Sequence, residues 1–395
     1  MRKILLIFKD EKKITKNQEF WKDKLSLKFN VEMIFLTDLL HHTNLKIIKF
    51  INEKILSDKI DFTIFEGDHV DIIDSTFNDL ITDETIKGLF LGDDMEWHEV
   101  NRVTASKCDF VFTSCPISKL KFNEFGVNTL FVPVEANGNI WKDYNLTKNI
   151  DILFFGREKK IRNQFFSHLD KEGINILKVD PYMEISNTNL KLAKLINQSK
   201  IILNFSSSKK SPRFWSRYNS YEYSYYFKGR VYMASFCNSL CITEYDPAAS
   251  LIFSEEELPQ FNDMNECVNL LKSFLGDEVK LKKFTKKFYD KGQQYLDINY
   301  IEKIEKFLFK TKKVIKYKSN LDIWYIFIHV KQLYRSRYKS NNFLSFIKQF
   351  TENFILFKNN KILDIFIFNI FSIIFFLRFL PFLPYKIFKS IFKKN

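Results

Sequence analysis

Glycine is scarce in this chain, at 10 residues of 395, against about 7% in an average protein. The scarcity excludes the glycine-rich phosphate loops: neither G-x-G-x-x-G nor G-x-x-x-x-G-K-[ST] occurs, and those turns need backbone that only glycine supplies. A nicotinamide-dependent epimerase or dehydrogenase is disfavoured with them. Cysteine is also sparse. Cys108, Cys115, Cys237, Cys241 and Cys267 form no disulfide framework. Cys237 and Cys241 have no His or Cys pair nearby to complete a zinc site, so these residues read as buried thiols and no metal is expected. Met1-Arg2-Lys3 leads into only five apolar residues, too few for the core of a secretory signal, and the expectation is a reducing cytoplasm. The last quarter lacks acid: from residue 280 onward there are 25 Lys/Arg against 7 Asp/Glu, while the first 279 residues hold 36 against 40. The net charge of +14 therefore belongs to the tail, which argues against a nucleic-acid-binding core.

What is present is ample apolar material, 46% hydrophobic with 44 Phe, enough for two packed cores at this length. Short apolar runs bounded by charge read as buried strands: Lys3–Phe8, Val31–Leu36, Asp61–Phe65, Gly88–Leu91, Phe110–Thr113 and Thr129–Pro133. Helical patterns such as Leu45–Leu56 lie between them. Alternation of this kind predicts a parallel sheet covered on both faces. The pattern restarts with Ile150–Phe155, Asn175–Val179, Ile201–Phe205 and Ser239–Thr243, with helices over Leu190–Gln198 and Met264–Phe274 and a helical run from Val279 to Phe309. The fold class is α/β, with two Rossmann-like, doubly wound domains facing a cleft. Residues 1–146 form the first, 147–285 the second, 286–319 a crossing helix and linker, and 320–395 a basic, apolar helical tail.

Polar residues stand at the ends of these strands, where open α/β sheets bind ligands. Gly92, Asp93 and Asp94 are followed by Glu96, Trp97 and His98, and Glu66-Gly67-Asp68 ends an earlier strand. Asp and Gly also make good turns, while the His98 imidazole is a candidate base. Gly156 and Arg157 close Ile150–Phe155, and Arg162 follows on a helix whose free N–H groups suit an anion. The loop Ser206–Tyr226 carries four cations and one acid among aromatics, and reads either as a lid over a base or sugar or as a surface insertion. Lys228, Gly229 and Arg230 then precede a short helix and an apolar strand ending at Thr243 and Glu244. These charges are either a phosphate and ribose site or the solvated start and cap of helices.

The order of these segments resembles GT-B glycosyltransferases, in particular the CgeB-like (spore maturation protein) group, over residues 88 to about 300. The matching residues are Gly92-Asp93-Asp94, Asp109–Thr113, Pro133 with Ala136 and Asn137, Asp151 with Phe154, Gly156 and Arg162, the Ile201–Phe205 strand, and Lys228-Gly229-Arg230-Val231-Tyr232 with Cys237, Thr243 and Glu244. Met233 stands where that group has Glu and Asn238 where it has Gly. The resemblance implies transfer of a sugar from a nucleotide-sugar donor without a cofactor, the donor held by the second domain. Lys228 and Arg230, with Arg157 or Arg162, would neutralise the diphosphate, with Gly156, Gly229 and Thr243 lining that site. Glu244 would bind ribose hydroxyls, and His98, Asp93 and Asp94 would serve the acceptor. The adjacent Asp93-Asp94 pair is not the spaced D-x-D of metal-dependent transferases. The Met233 and Asn238 departures leave a second reading open, a catalytically silent sugar- or nucleotide-binding scaffold.

The tail is the remaining feature. Ile362–Leu383 is almost wholly apolar, and its clean core, Ile365–Leu377, is 13 residues long, short of the roughly 20 that span a bilayer. Flanking Lys386, Lys389, Lys393 and Lys394 suit anionic lipid. The segment reads as an in-plane membrane anchor or as a buried hairpin in a homodimer. The first reading places the protein on the inner face of the cytoplasmic membrane, with a surface glycan or lipid-linked molecule as acceptor.

Overall fold

The computed structural model describes residues 1–8, 16–39, 42, 44–66, 81–92, 94–133, 137–156, 160–180, 189–206 and 227–314, with 370 and 373. The expectations for Asp93, Arg157, the 207–226 loop and nearly all of the tail fall outside these residues. The chain divides into two compact units, one of residues 1–113, 120–130 and 308–395, the other of 114–119 and 131–307.

The first unit is built on strands β1 (Lys3–Phe8), β2 (Asn30–Phe35), β3 (Phe62–Glu66), β4 (Ile86–Leu91), β5 (Phe110–Thr113) and β6 (Thr129–Phe131), joined through helices α1 (Lys16–Leu25), α2 (Asn44–Asp58), α3 (Asp94–Ala105) and α4 (Pro116–Glu124). The strand order is β2-β1-β3-β4-β5-β6. β1 pairs in parallel with both β2 and β3, and β4 in parallel with β3 and β5. Strands covered by helices on both faces must be apolar on both faces, which explains runs such as KILLIF, whose last five residues are all buried. Gly88 faces Phe110 across β4 and β5, and a Cβ there would sit 2.1 Å from the ring. Glycine is what lets that ring lie flat on the sheet.

The second unit repeats the plan. Its strands are β7 (Ile150–Phe155), β8 (Leu177–Val179), β9 (Ser199–Asn204), β10 (Leu240–Glu244) and β11 (Gln260–Phe261), in the order β8-β7-β9-β10-β11. Its helices are α5 (Lys160–Lys171), α6 (Asn189–Asn197), α7 (Gly229–Phe236), α8 (Pro247–Ser250), α9 (Met264–Gly276), α10 (Glu278–Gln293) and α11 (Asp297–Lys310). Asp263 and Asp277 cap α9 and α10, accepting from the Glu266 and Lys280 N–H groups at 2.9 Å, the usual way to satisfy orphan helix donors. At the amino edge the half-buried Lys148 ammonium donates to the Asn197 and Ser199 carbonyls (3.1 and 2.9 Å) and to Ser239 Oγ (2.9 Å). Burial pushes its pKa down to about 8.

Two features differ from the sequence expectation. The helical run over 279–309 is two helices, α10 ending at Gln293 and α11 starting at Asp297; Leu296, between them, lies in the core, and Gly292 packs against Ser235 of α7, where a Cβ would come within 2.3 Å of Oγ. The linker near 146 is also preceded by residues that already pack with the second unit: Phe131 and Trp141 lie in its core. At the other end, Phe309 stacks on Phe29 at 6.1 Å and Val314 N–H donates to Asp109 Oδ1 at 3.0 Å, so residues 308–314 close the first unit.

Candidate functional site

In a doubly wound sheet the ligand crevice lies outside the carboxyl ends of the strands, where the strand order reverses. In the second unit that point falls between β7 and β9, hence at Gly156 and Asn204–Ser206. Gly156 has φ of +148°, a conformation that favours glycine. Arg230, in the first turn of α7, brings its guanidinium carbon 3.5 Å from where a Gly156 Cβ would be, and 5.4 Å from the Phe154 ring. Arg162, in the first turn of α5, is buried and lies 5.6 Å from the same ring and 5.9 Å from Phe205. Burial lowers its pKa, and the Glu244 carboxylate opposes that shift. Two guanidiniums thus approach one aromatic ring beside a glycine turn, with a half-buried acid at the end of β10.

Lys228 occupies the N-cap position of α7 without a side-chain cap bond, and Gly229 opens the helix. Its ammonium helps hold down the pKa of Asp246. Thr243 is fully buried and its hydroxyl is engaged within the sheet, accepting from Asn204 Nδ2 at 2.8 Å and donating to the Glu244 carbonyl at 3.0 Å. The cap that the sequence offered as an alternative role for Glu244 is filled by Asp246, which accepts from the Ala248 N–H at 2.9 Å. Burial raises the Asp246 pKa to about 6. Asn238 adopts φ of +54° and donates to Asp143 Oδ2 at 2.8 Å, so the substitution of Asn for Gly falls where Asn is the next-best residue. Met233, one turn on from Arg230, is partly buried against the core.

In the first unit Asp94 is completely buried as the first residue of α3. One oxygen lies 3.0 Å from His98 Nδ1 and the other accepts from Asn101 Nδ2 at 2.8 Å. His98 is buried against Phe122, with ring centroids 4.6 Å apart, and its Nε2 has no hydrogen-bond partner. Asp93 lies outside the described residues. The cysteines are buried, and burial pushes the Cys237 and Cys267 thiols up to about 12.

Residues 163–299 match the family described as "Glycosyl transferase-like". That match falls wholly within the second unit. Among solved structures, Anabaena HepE in complex with UDP shares the fold at 10% identity and a TM-score of 0.52, covering 78% of this chain and 99% of that one. The sucrose-phosphate synthase of Thermosynechococcus elongatus does so at 10% identity and a TM-score of 0.52, covering 79% and 100%. The two parallel-sheet α/β units are the GT-B fold. No curated protein matches the chain. In the second unit, sequence reasoning passed over Phe154 as the ring that both guanidiniums approach, and over Asn204 and Asp246. The signal for the last two was a polar residue closing an apolar strand, as in Ile201–Ser206 and Leu240–Asp246.

Proposed function

We propose that the chain transfers a glycosyl group from a nucleoside diphosphate sugar, as the CgeB-like resemblance implies, with the second unit binding the donor. The observation that carries this reading is the pair Arg162 and Arg230 around Phe154 at the Gly156 turn. As the acceptor oxygen bonds to the anomeric carbon, the carbon–oxygen bond to the diphosphate breaks and negative charge grows on the leaving phosphate. A fixed guanidinium beside it stabilises that charge more in the transition state than in the ground state. Lys228 and Arg157 add to the field, Glu244 accepts from ribose hydroxyls, and transfer is expected to persist in a chelator. That HepE, which shares the fold, was solved with UDP and with UDP-glucose supports the donor class.

On the acceptor side, Asp94 fixes the His98 ring through Nδ1, and Nε2, buried without a hydrogen-bond partner, is the nitrogen left to take the acceptor proton once the acceptor uncovers it. The acceptor is a surface glycan or lipid-linked molecule, and the basic, apolar tail holds the enzyme on the inner face of the cytoplasmic membrane. Met233 favours one further reading, a binder without turnover, because a thioether is a poor acceptor for a sugar hydroxyl.

Titration of UDP and GDP into the protein tests the donor site. Arg230→Ala is expected to weaken binding roughly 10- to 100-fold, the worth of a hydrogen bond to a charged group. Equal affinity in wild type and variant would remove the reading. Binding without hydrolysis or transfer would leave the silent binder.

A further inference from the structure

We infer that the amino edge of the first unit's sheet is the face that lies on an anionic bilayer. The inference rests on the membrane reading above and specifies which surface of the folded protein takes part. The turns that lead into β2 and β6 place Leu27 and Phe125 there, each 61% exposed, and the chain leaves this edge through Phe309 and Val314, each 47% exposed. The segment 311–314 is held along the edge: Asn128 Nδ2 donates to Thr311 Oγ1 at 3.0 Å, Lys313 bonds the Asp83 carbonyl, and Asp109 takes the Val314 N–H. Between the apolar groups stand exposed Arg2, Lys59, Lys310, Lys312 and Lys313. Exposed acids also stand at this edge: Asp23, one turn before Leu27, Asp83, whose carboxylate pairs with Lys87 at 2.8 Å, Glu84 and Glu124.

Exposed apolar side chains rimmed by cations are the composition of an interfacial membrane surface. Residues 315–395 continue from this edge with 14 Lys/Arg against 3 Asp/Glu and 15 Phe, so surface and tail offer one lipid the same chemistry. Asp94 and His98 follow β4 at the opposite, carboxyl edge of the sheet, which keeps that edge turned to solvent when the amino edge is seated.

The test uses the full chain, sedimented with vesicles of phosphatidylcholine mixed with phosphatidylglycerol and with vesicles of phosphatidylcholine alone. The double variant Leu27→Glu/Phe125→Glu is expected to lose about tenfold or more in partitioning to the mixed vesicles. The same charge change in the second unit, Leu251→Glu/Val279→Glu, is expected to leave it unchanged, with thermal midpoints showing that both variants fold. Wild type that ignores the mixed vesicles overturns the membrane reading itself. Wild type that binds while both variants bind equally well overturns only the choice of face. Two further results overturn it as well: a lipid-free change of oligomeric state in Leu27→Glu/Phe125→Glu would mean that a second copy covers the edge. New protease sensitivity of 315–395 with vesicle binding intact would mean that the tail covers it.

Discussion

The acids that follow the fourth strand of each sheet have opposite surroundings. Asp94, after β4, is buried and gives both oxygens to side chains, His98 at 3.0 Å and Asn101 at 2.8 Å. Asp246, after β10, is equally buried, yet its nearest donor is the Ala248 backbone, and the Glu244 carboxylate nearby raises its pKa further. The two units share a strand order through five strands, so the difference lies in what was placed on the scaffold. In the first unit the carboxyl edge is knitted together by buried polar bonds. In the second it concentrates Arg162, Arg230, Lys228, Glu244 and Asp246, charges of both signs, with Arg162 and Asp246 buried where burial makes them costly.

Substitutions at these two acids should therefore move stability in opposite directions. Asp94→Ala strands His98 Nδ1 and Asn101 Nδ2 in the core, and a loss of about 3 to 5 kcal/mol is expected in denaturant unfolding. Asp246→Asn keeps a residue equally good at the N-cap and removes a buried charge. The folded pKa of about 6 lies above the ordinary 3.8, so between those values the native state holds a proton that the unfolded chain has lost. Stability from the protonated carboxyl is full below 3.8 and gone above about 6, a difference of roughly 3 kcal/mol by linkage. Asp246→Asn should raise the thermal midpoint at pH 7.5 and leave it nearly unchanged at pH 4, measured by circular dichroism. A midpoint that falls at both pH values would erase the contrast between the two edges.

The glycines sharpen the same contrast on a smaller scale. Gly88→Ala drives a methyl into the Phe110 ring, at 2.1 Å, and should cost about 1 to 3 kcal/mol through overpacking without touching nucleotide binding. Gly156→Ala meets only ordinary contacts, the nearest at 3.4 Å, and suffers from its φ of +148°. Its stability cost of about 1 to 2 kcal/mol should come with weakened UDP binding, because the strain displaces the turn that faces Arg230. Paired melts and titrations separate the two; equal loss of binding in both variants would count against a site at Gly156.

Strands were legible because an apolar run bounded by charge has few other uses, and Phe110–Thr113 and Ile150–Phe155 coincide with β5 and β7 to the residue. The break between α10 and α11 was not legible: Leu296 leaves the helical run for the core, and Gly292 just before it meets Ser235 some 57 residues away, both tertiary facts. In the site, the sequence could mark Arg162, Arg230 and Glu244 as charges near strand ends, and the strand order β7-β9-β10 puts them on one edge. It could not show that Thr243 points into the sheet, because that follows from the register that sets it against Asn204. Nor could it show that Asn238 fills a left-handed position, since one residue's φ leaves no mark in hydropathy.

The smallest effect is expected at Tyr232, on the same helix as Arg230. Its ring is packed among Phe131, Phe227, Phe236, Phe253 and Tyr295, while its hydroxyl is buried with no hydrogen-bond partner. Burial and the neighbouring Tyr295 and Tyr300 hold its pKa well above the ordinary value, so the group stays neutral and contributes no charge. Tyr232→Phe keeps the ring contacts and deletes an oxygen whose desolvation nothing offsets, and should be neutral or stabilising by up to about 1 kcal/mol. Tyr300 provides the control within the same unit, because its hydroxyl donates to the Phe131 carbonyl at 2.5 Å, and Tyr300→Phe should destabilise by about 1 kcal/mol. If Tyr232→Phe is instead the more damaging of the two in urea unfolding, the second unit does not carry uncompensated polar burial beneath its site helix, and the contrast narrows to the charges at the sheet edge.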